Sequence, residues 1–159
     1  MSRDKKMKED QKEEKAKYLY ITIVVLILSI GVCLRLFFGP FLFPIPKIVA
    51  WSVGGIFFLV GSIISNQWHK LKDEIYKGKL VTEGIYAHIR HPHYSSIILM
   101  MFGASFLLQS LLVFLFAILN VIILNQAAKE EEDYLIKKYG ATYKEYMKKV
   151  RWRFIPLVI

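Results

Sequence analysis

The chain has one cysteine, Cys33, among 159 residues. That excludes an internal disulfide and leaves the redox compartment unspecified. There is no Ser–His–Asp arrangement, no glycine-rich phosphate loop and no paired-cysteine motif, so three common chemistries find no support. Charge is missing from long stretches. Ile48 to Ser65 and Ser95 to Ala128 carry none, and Tyr18 to Phe38 carries only Arg35. Yet the chain is 22% charged and 55% apolar, so the two kinds of residue are segregated along it. Apolar runs of about 18 or more residues can cross a hydrocarbon core of about 30 Å. The composition predicts an all-α integral membrane protein.

What is present sits between and beside those runs. Met1 to Lys17 mixes seven basic with five acidic residues and lacks apolar periodicity, which predicts a solvated, disordered tail. The first apolar segment runs on to "CLRLFFGPF", longer than the core of a secretory signal, and is expected to be retained. A net charge of +9 invites a nucleic-acid reading. Basic residues flanking membrane spans account for it better, through orientation and contact with anionic lipid, and no aromatic and basic platform for nucleic acid is visible.

The basic residues fall in the N-terminal tail, in Lys70 to Arg90 and after Ala128, whereas "GPFLFPIP" has none. The positive-inside tendency then puts both termini and the central loop in the cytoplasm. Lysine- and isoleucine-rich usage points to a bacterial cytoplasmic membrane. Tyr94 to Gln126 as one helix would reach about 50 Å and would export the basic tail. A turn near Leu108 to Leu111 makes it a hairpin of two arms, each roughly 24 Å long, and brings the count to four membrane helices. Gly54, Gly55 and Gly61 predict a close helix contact, and Arg35 is expected to reach for the interface. Leu135, Tyr139, Tyr143, Met147 and Val150 recur at helical spacing. Gly140 interrupts them, and Thr142 with Glu145 reads as a capping box. Two short amphipathic helices on the membrane surface are expected there, the second ending over Arg153 to Pro156.

The segment "TEGIYAHIRHPHYSS" holds three of the four histidines beside an arginine and two tyrosines, immediately before an uncharged run. If the hairpin folds back, this lip meets Glu130, Glu131 and Glu132. Simpler roles exist for the parts: lysines on lipid headgroups, the glutamates as a solvated helix end, Tyr86 and Tyr94 as interfacial aromatics. His69, His88, His91 and His93 are not expected to hold a metal. Pro92 keeps the chain extended between His91 and His93, and no cysteine helps. Together the inventory suits a zwitterionic, partly aromatic ligand with a positive centre. Carboxylates hold an ammonium, a basic or backbone donor holds a carboxylate, and tyrosine faces attract a cation. S-adenosylmethionine has all these parts.

"LVTEGIYAHIRHPHY", followed by "EEEDYLIKKYGATYKEYMKKVRWRFIP", resembles the isoprenylcysteine carboxyl methyltransferases and related phospholipid methyltransferases. The matching positions are Leu80, Val81, Thr82, Gly84, Tyr86, Arg90, His91, Pro92 and Tyr94, then Glu131, Glu132, Tyr139, Gly140, Tyr143 and Tyr146. The resemblance implies a membrane methyltransferase using S-adenosyl-L-methionine. Residues 1–17 would be a cytoplasmic tail, 18–66 two transmembrane helices and 67–159 the catalytic part. Cofactor contacts would fall at Lys79, Leu80, Val81, Tyr86, His91, Pro92, His93, Tyr94, Glu131 and Glu132, with Arg90 and Arg153 as candidate acceptor-side residues. The acceptor would be lipophilic and arrive from membrane lipid, such as the carboxylate of a prenylated cysteine. A phospholipid amine or a small lipophilic thiol or hydroxyl compound is the alternative, and a non-catalytic protein binding anionic lipid is a rival of another class. Two positions depart from the family pattern. Ser96 stands where many relatives have glycine, and the region of Ala127 lacks the arginine that the prenylcysteine enzymes carry one turn before the glutamate, a role open to Arg153 or Lys129.

Overall fold

The computed structural model describes residues 3–38 and 44–155. They form five helices: α1 (Arg3–Phe38), α2 (Lys47–Tyr76), α3 (Pro92–Leu107), α4 (Leu111–Tyr139) and α5 (Ala141–Lys149), with a 3-10 turn at Gly84–Ala87. Three stretches are long and apolar enough to span a bilayer: Lys15–Phe37, Lys47–Ile75 and Leu111–Tyr139. At 16 residues, α3 falls short of them, about 24 Å at the usual rise. It can be short because it is enclosed, packed between α2 and α4.

The helices lie in the order α2, α3, α4, α1, each antiparallel to the next. Along the α1–α4 seam, Lys17 meets Glu131, the Asn120 amide donates to the Val24 carbonyl at 3.3 Å, and Gly31 lies under Phe116. Along the α2–α3 seam, Gly54 faces Gly103, Gly61 faces Ser96, and Trp68 faces His93. In lipid, apolar side chains gain little by leaving their surroundings, so close backbone approach must supply helix adhesion. Gly54 and Gly61 supply it; Gly55 points away from any neighbour. The outer faces of α1 and α2 remain apolar, with Leu26, Ile30, Ile56 and Leu59 all exposed, as suits contact with acyl chains.

The hairpin turn forms where expected. Leu108 caps α3, Gln109 takes the left-handed conformation at φ 48°, and Ser110 accepts from the Val113 amide to cap α4. The arms, however, are unequal, because α4 runs 29 residues and does not stop at the glutamates. It absorbs the first of the two expected surface helices. Nothing in "KEEEDYLIKKY" breaks a helix until Gly140, whose φ of +61° turns the chain. The Thr142 capping box does not form: α5 begins at Ala141 without a side-chain cap, so Thr142 is already inside the helix. α5 ends at Lys149 rather than over residues 153–156, and Pro156 lies outside the described residues.

The charged N-terminal stretch is helical from Arg3, not disordered. Its Lys, Glu, Gln and Met residues are strong helix formers, and the spanning helix below spares them the cost of nucleation. Arg35 keeps a buried Nε without a hydrogen-bond partner.

A methyl group tests the α2–α3 seam. A Cβ on Gly54 would come within 2.9 Å of the Gly103 carbonyl and 3.0 Å of the Leu107 nitrogen, both backbone atoms. Gly54→Ala should cost about 1–3 kcal/mol, lowering the melting temperature in detergent. Gly55→Ala, which meets nothing within 4 Å, should leave it unchanged or slightly raised.

Candidate functional site

The polar segment after α2 is held open by its turns. The Gly78 amide donates to the Ile75 carbonyl, the 3-10 turn follows, and Val81 is buried. Pro92 does not extend the chain as its type suggests. It occupies the first turn of α3, where its missing N–H costs nothing. His91, the N-cap, takes φ −125° and ψ 68°, neither helical nor extended. The two neighbouring histidines are thereby sent in different directions: His91 toward α4 and His93 toward α2.

His91 is buried between two carboxylates. Its Nε2 lies 3.1 Å from Glu132 Oε1 and its Nδ1 3.5 Å from Glu131 Oε2. Burial alone would drive the imidazole neutral, but its contacts with both glutamates outweigh this and raise its pKa above the ordinary value. Both contacts favour the charged imidazolium, in which each ring nitrogen carries a proton toward a carboxylate. Glu132, 4% exposed, gathers two more cations. The Arg90 Nε is 3.1 Å from Oε1, in ion-pair range though misaligned for a hydrogen bond. Arg153 grips both oxygens, at 3.1 and 2.7 Å, and its Nη1 donates to Asn125 Oδ1 at 2.6 Å.

Arg153 reaches this point because residues after α5 form a strap along the polar segment. The Arg90 and His91 amides donate to the carbonyls of Trp152 and Arg153, both at 3.0 Å, and Ser95 Oγ donates to the Phe154 carbonyl at 2.7 Å. α5 covers the same region. Its Tyr143 and Tyr146 are buried, not spread in a membrane interface, and Tyr146 donates to the Tyr86 carbonyl at 2.8 Å. On α4, Tyr139 donates to the Gly78 carbonyl at 2.8 Å.

These elements enclose a cavity of about 320 Å³, within the range of small-molecule sites. Lys79, Leu80, Val81, Tyr86, Arg90, His91, His93, Tyr94 and Glu131 line it, so the motif segment and the acidic turn of α4 meet in one place. Pro92, Glu132 and Arg153 do not line it; Pro92 is packed in α3, and the other two lie behind the wall, paired to each other. Tyr94 stacks on His91 with ring centres 5.5 Å apart. His93 stacks on Trp68 at 4.1 Å, its Nδ1 buried without a partner. Burial lowers the His93 pKa to about 4, leaving a neutral ring with an unused polar atom. Burial likewise raises the Tyr86 phenol, so Tyr86 stays protonated. Among the described residues no three His, Cys, Asp or Glu side chains are grouped as a metal site needs.

Two wall residues were invisible to sequence reasoning. Lys17, at the polar end of α1, places Nζ 2.7 Å from Glu131 Oε1. Trp68 stands at the end of an apolar run, where an aromatic is ordinary, and nothing in the sequence aims it at His93. Ser96 takes its place through a hydrogen bond to the His93 carbonyl at 2.7 Å. Ala127 is buried with Val24, Tyr94 and Phe154, and Arg153 reaches Asn125 on the same stretch of α4; Lys129 is exposed.

Glu132→Ala takes the carboxylate from buried His91 and from the partly buried Arg90 and Arg153, and should cost about 3–5 kcal/mol, read as a large drop in melting temperature. His91 has a raised pKa, so its stabilisation is complete below its ordinary value of about 6.5 and is lost as pH rises through the folded value. The melting-temperature gap between the native chain and His91→Gln should therefore shrink from mildly acidic to alkaline pH.

The family description "Phospholipid methyltransferase" matches residues 49–142 of the 159. Over 80 residues the chain is 38% identical to the Protein-S-isoprenylcysteine O-methyltransferase of Schizosaccharomyces pombe, covering 50% of this chain and 34% of that one. Over 117 residues it is 32% identical to the protein of the same name from Dictyostelium discoideum, covering 67% of this chain and 49% of that one. The chain thus spans half or less of the length of these two relatives. The matched stretch takes in α2, the motif segment, α3 and α4, but neither Lys17 nor Arg153. With more than half its residues covered, the chain belongs to the phospholipid methyltransferase family.

Proposed function

We propose that the chain is an integral-membrane methyltransferase that takes S-adenosylmethionine into this cavity and methylates a lipophilic acceptor. The observation that carries the proposal is the meeting of Tyr94 and Glu131 on one cavity at the charged end of an apolar bundle. The cavity's chemistry fits the cofactor. Glu131 offers a carboxylate to an ammonium, and the Tyr86, Tyr94 and Trp68 rings offer faces to a sulfonium and a base. The unpartnered His93 Nδ1 offers a buried acceptor or donor to a polar ligand atom. When bound, S-adenosylmethionine supplies a methyl group already activated on a positive sulfur. The chain's own work is therefore to bind, orient and exclude water. Tyr143 and Tyr146 of α5 cover the site, and the buried ion network behind His91 keeps Glu131 facing the cavity.

For the acceptor, the balance of charge supports an anion. Lys17, Lys79, Arg90 and His91 line the cavity with Glu131, an excess of cations there. A carboxylate on a prenylated cysteine suits that excess better than a phospholipid amine, and both named relatives carry isoprenylcysteine in their names. The basic residues gathered at this end also support a cytoplasmic orientation of the cavity.

Calorimetry on purified protein in detergent tests the cofactor. S-adenosylhomocysteine should bind, Glu131→Gln should weaken it by roughly tenfold or more, and Lys148→Ala, exposed on α5, should not. Methyl-label transfer to prenylcysteine analogues rather than to lipid extract identifies the acceptor. No binding of either S-adenosyl compound would leave the anionic-lipid reading standing instead.

A further inference from the structure

The Lys17–Glu131 pair lies outside the family motif on one side and inside it on the other. Lys17 sits just within the spanning part of α1 and lines the cavity with Tyr18 and Ile21. Its ammonium is 2.7 Å from Glu131, and the two side chains are 35% and 18% exposed. A half-exposed pair of this kind contributes little to stability. Its position at the cavity wall gives it another use.

Three other cations of the wall are directed away from Glu131, while Lys72 also lines the cavity. Arg90 is directed at the buried Glu132, Lys79 at Glu74 at 2.7 Å, and Lys138 at the Tyr134 hydroxyl at 2.9 Å. Lys17 is the lysine that stands on Glu131. Glu131 also has His91 on its other oxygen, at 3.5 Å, so its orientation does not depend on Lys17 alone. A carboxylate and an ammonium side by side present, in complementary order, the two charges of an α-amino acid head group. A ligand carrying that head group sets its ammonium on Glu131 and its carboxylate on Lys17, and four charges alternate around a ring.

We infer that Lys17 of α1 binds the carboxylate of the cofactor's amino-acid moiety, making the start of the first membrane helix a determinant of cofactor specificity. This rests on the reading of the cavity as an S-adenosylmethionine site. It assigns α1 a role that the motif segment does not contain.

The test compares S-adenosylmethionine with its decarboxylated analogue, which keeps the sulfonium and the ammonium, by calorimetry on the full chain. The native protein should prefer the intact compound by roughly tenfold or more. Lys17→Met should erase most of that preference by weakening the intact compound alone, with the analogue held within about twofold, and Lys17→Arg should restore it. Equal weakening of both ligands would make Lys17 a structural residue and overturn the inference. Tighter binding of the intact compound by Lys17→Met would overturn it too, by making the lysine a competitor for Glu131. Should Lys17→Met fail to fold, a native protein without preference between the two compounds is enough to refute the inference. A native protein that binds neither compound refutes the cofactor reading itself, whereas binding that ignores Lys17 leaves that reading intact and removes only this inference.

Discussion

A carboxylate buried at the end of a membrane bundle must be neutralised, and Glu132 meets that requirement with three cations from two segments remote in sequence. Arg90 and His91 come from the segment preceding α3, and Arg153 from the strap after α5. Removing any one charge in such a cluster exposes the others to an uncompensated environment, so the three segments are mutually committed. Breaking the arrangement would release the polar segment, the strap and the covering helix together. The same cluster sets the orientation of His91, which bridges to Glu131 and keeps the two adjacent glutamates in different roles. One is locked behind the wall, and the other faces the cavity.

The apolar part of the bundle supports this end by close packing rather than by burial from water. α3 is short because it is shielded by α2 and α4, and its contact with α2 depends on glycines at Gly54, Gly61 and Gly103. That approach brings Trp68 over His93 and puts the end of α2 at the cavity. On the other flank, Gly31 admits Phe116 and Asn120 ties α4 to α1, which brings Lys17 within reach of Glu131. A charged pocket at the edge of an apolar bundle follows: water-borne and lipid-borne molecules can both approach it.

Much of this was legible in the chain. The apolar runs announced the membrane helices, the length of Tyr94 to Gln126 required a turn, and the turn came at 108–110. The polar segment and the glutamates were recognisable as one site because a hairpin leaves no other geometry. Local pattern alone favours a disordered charged tail, a separate first amphipathic helix and a Thr142 box, but helix continuity is decided by what adjoins a segment. α4 simply carries on until Gly140 intervenes, and α1 takes in the charged stretch from Arg3.

What the sequence determined by itself was what is set along the chain: which stretches prefer lipid, where a helix must reverse, and which polar groups cluster near a reversal. Hydropathy, rise per residue and backbone chemistry act locally, so they can be read in order. Only the tertiary structure decided which cation faces which carboxylate, that Lys17 and Trp68 complete the wall, and that Arg153 stands beside the turn of α4 bearing Ala127. Those pairings depend on packing between helices far apart in sequence, where an ångström of approach at a glycine separates contact from none.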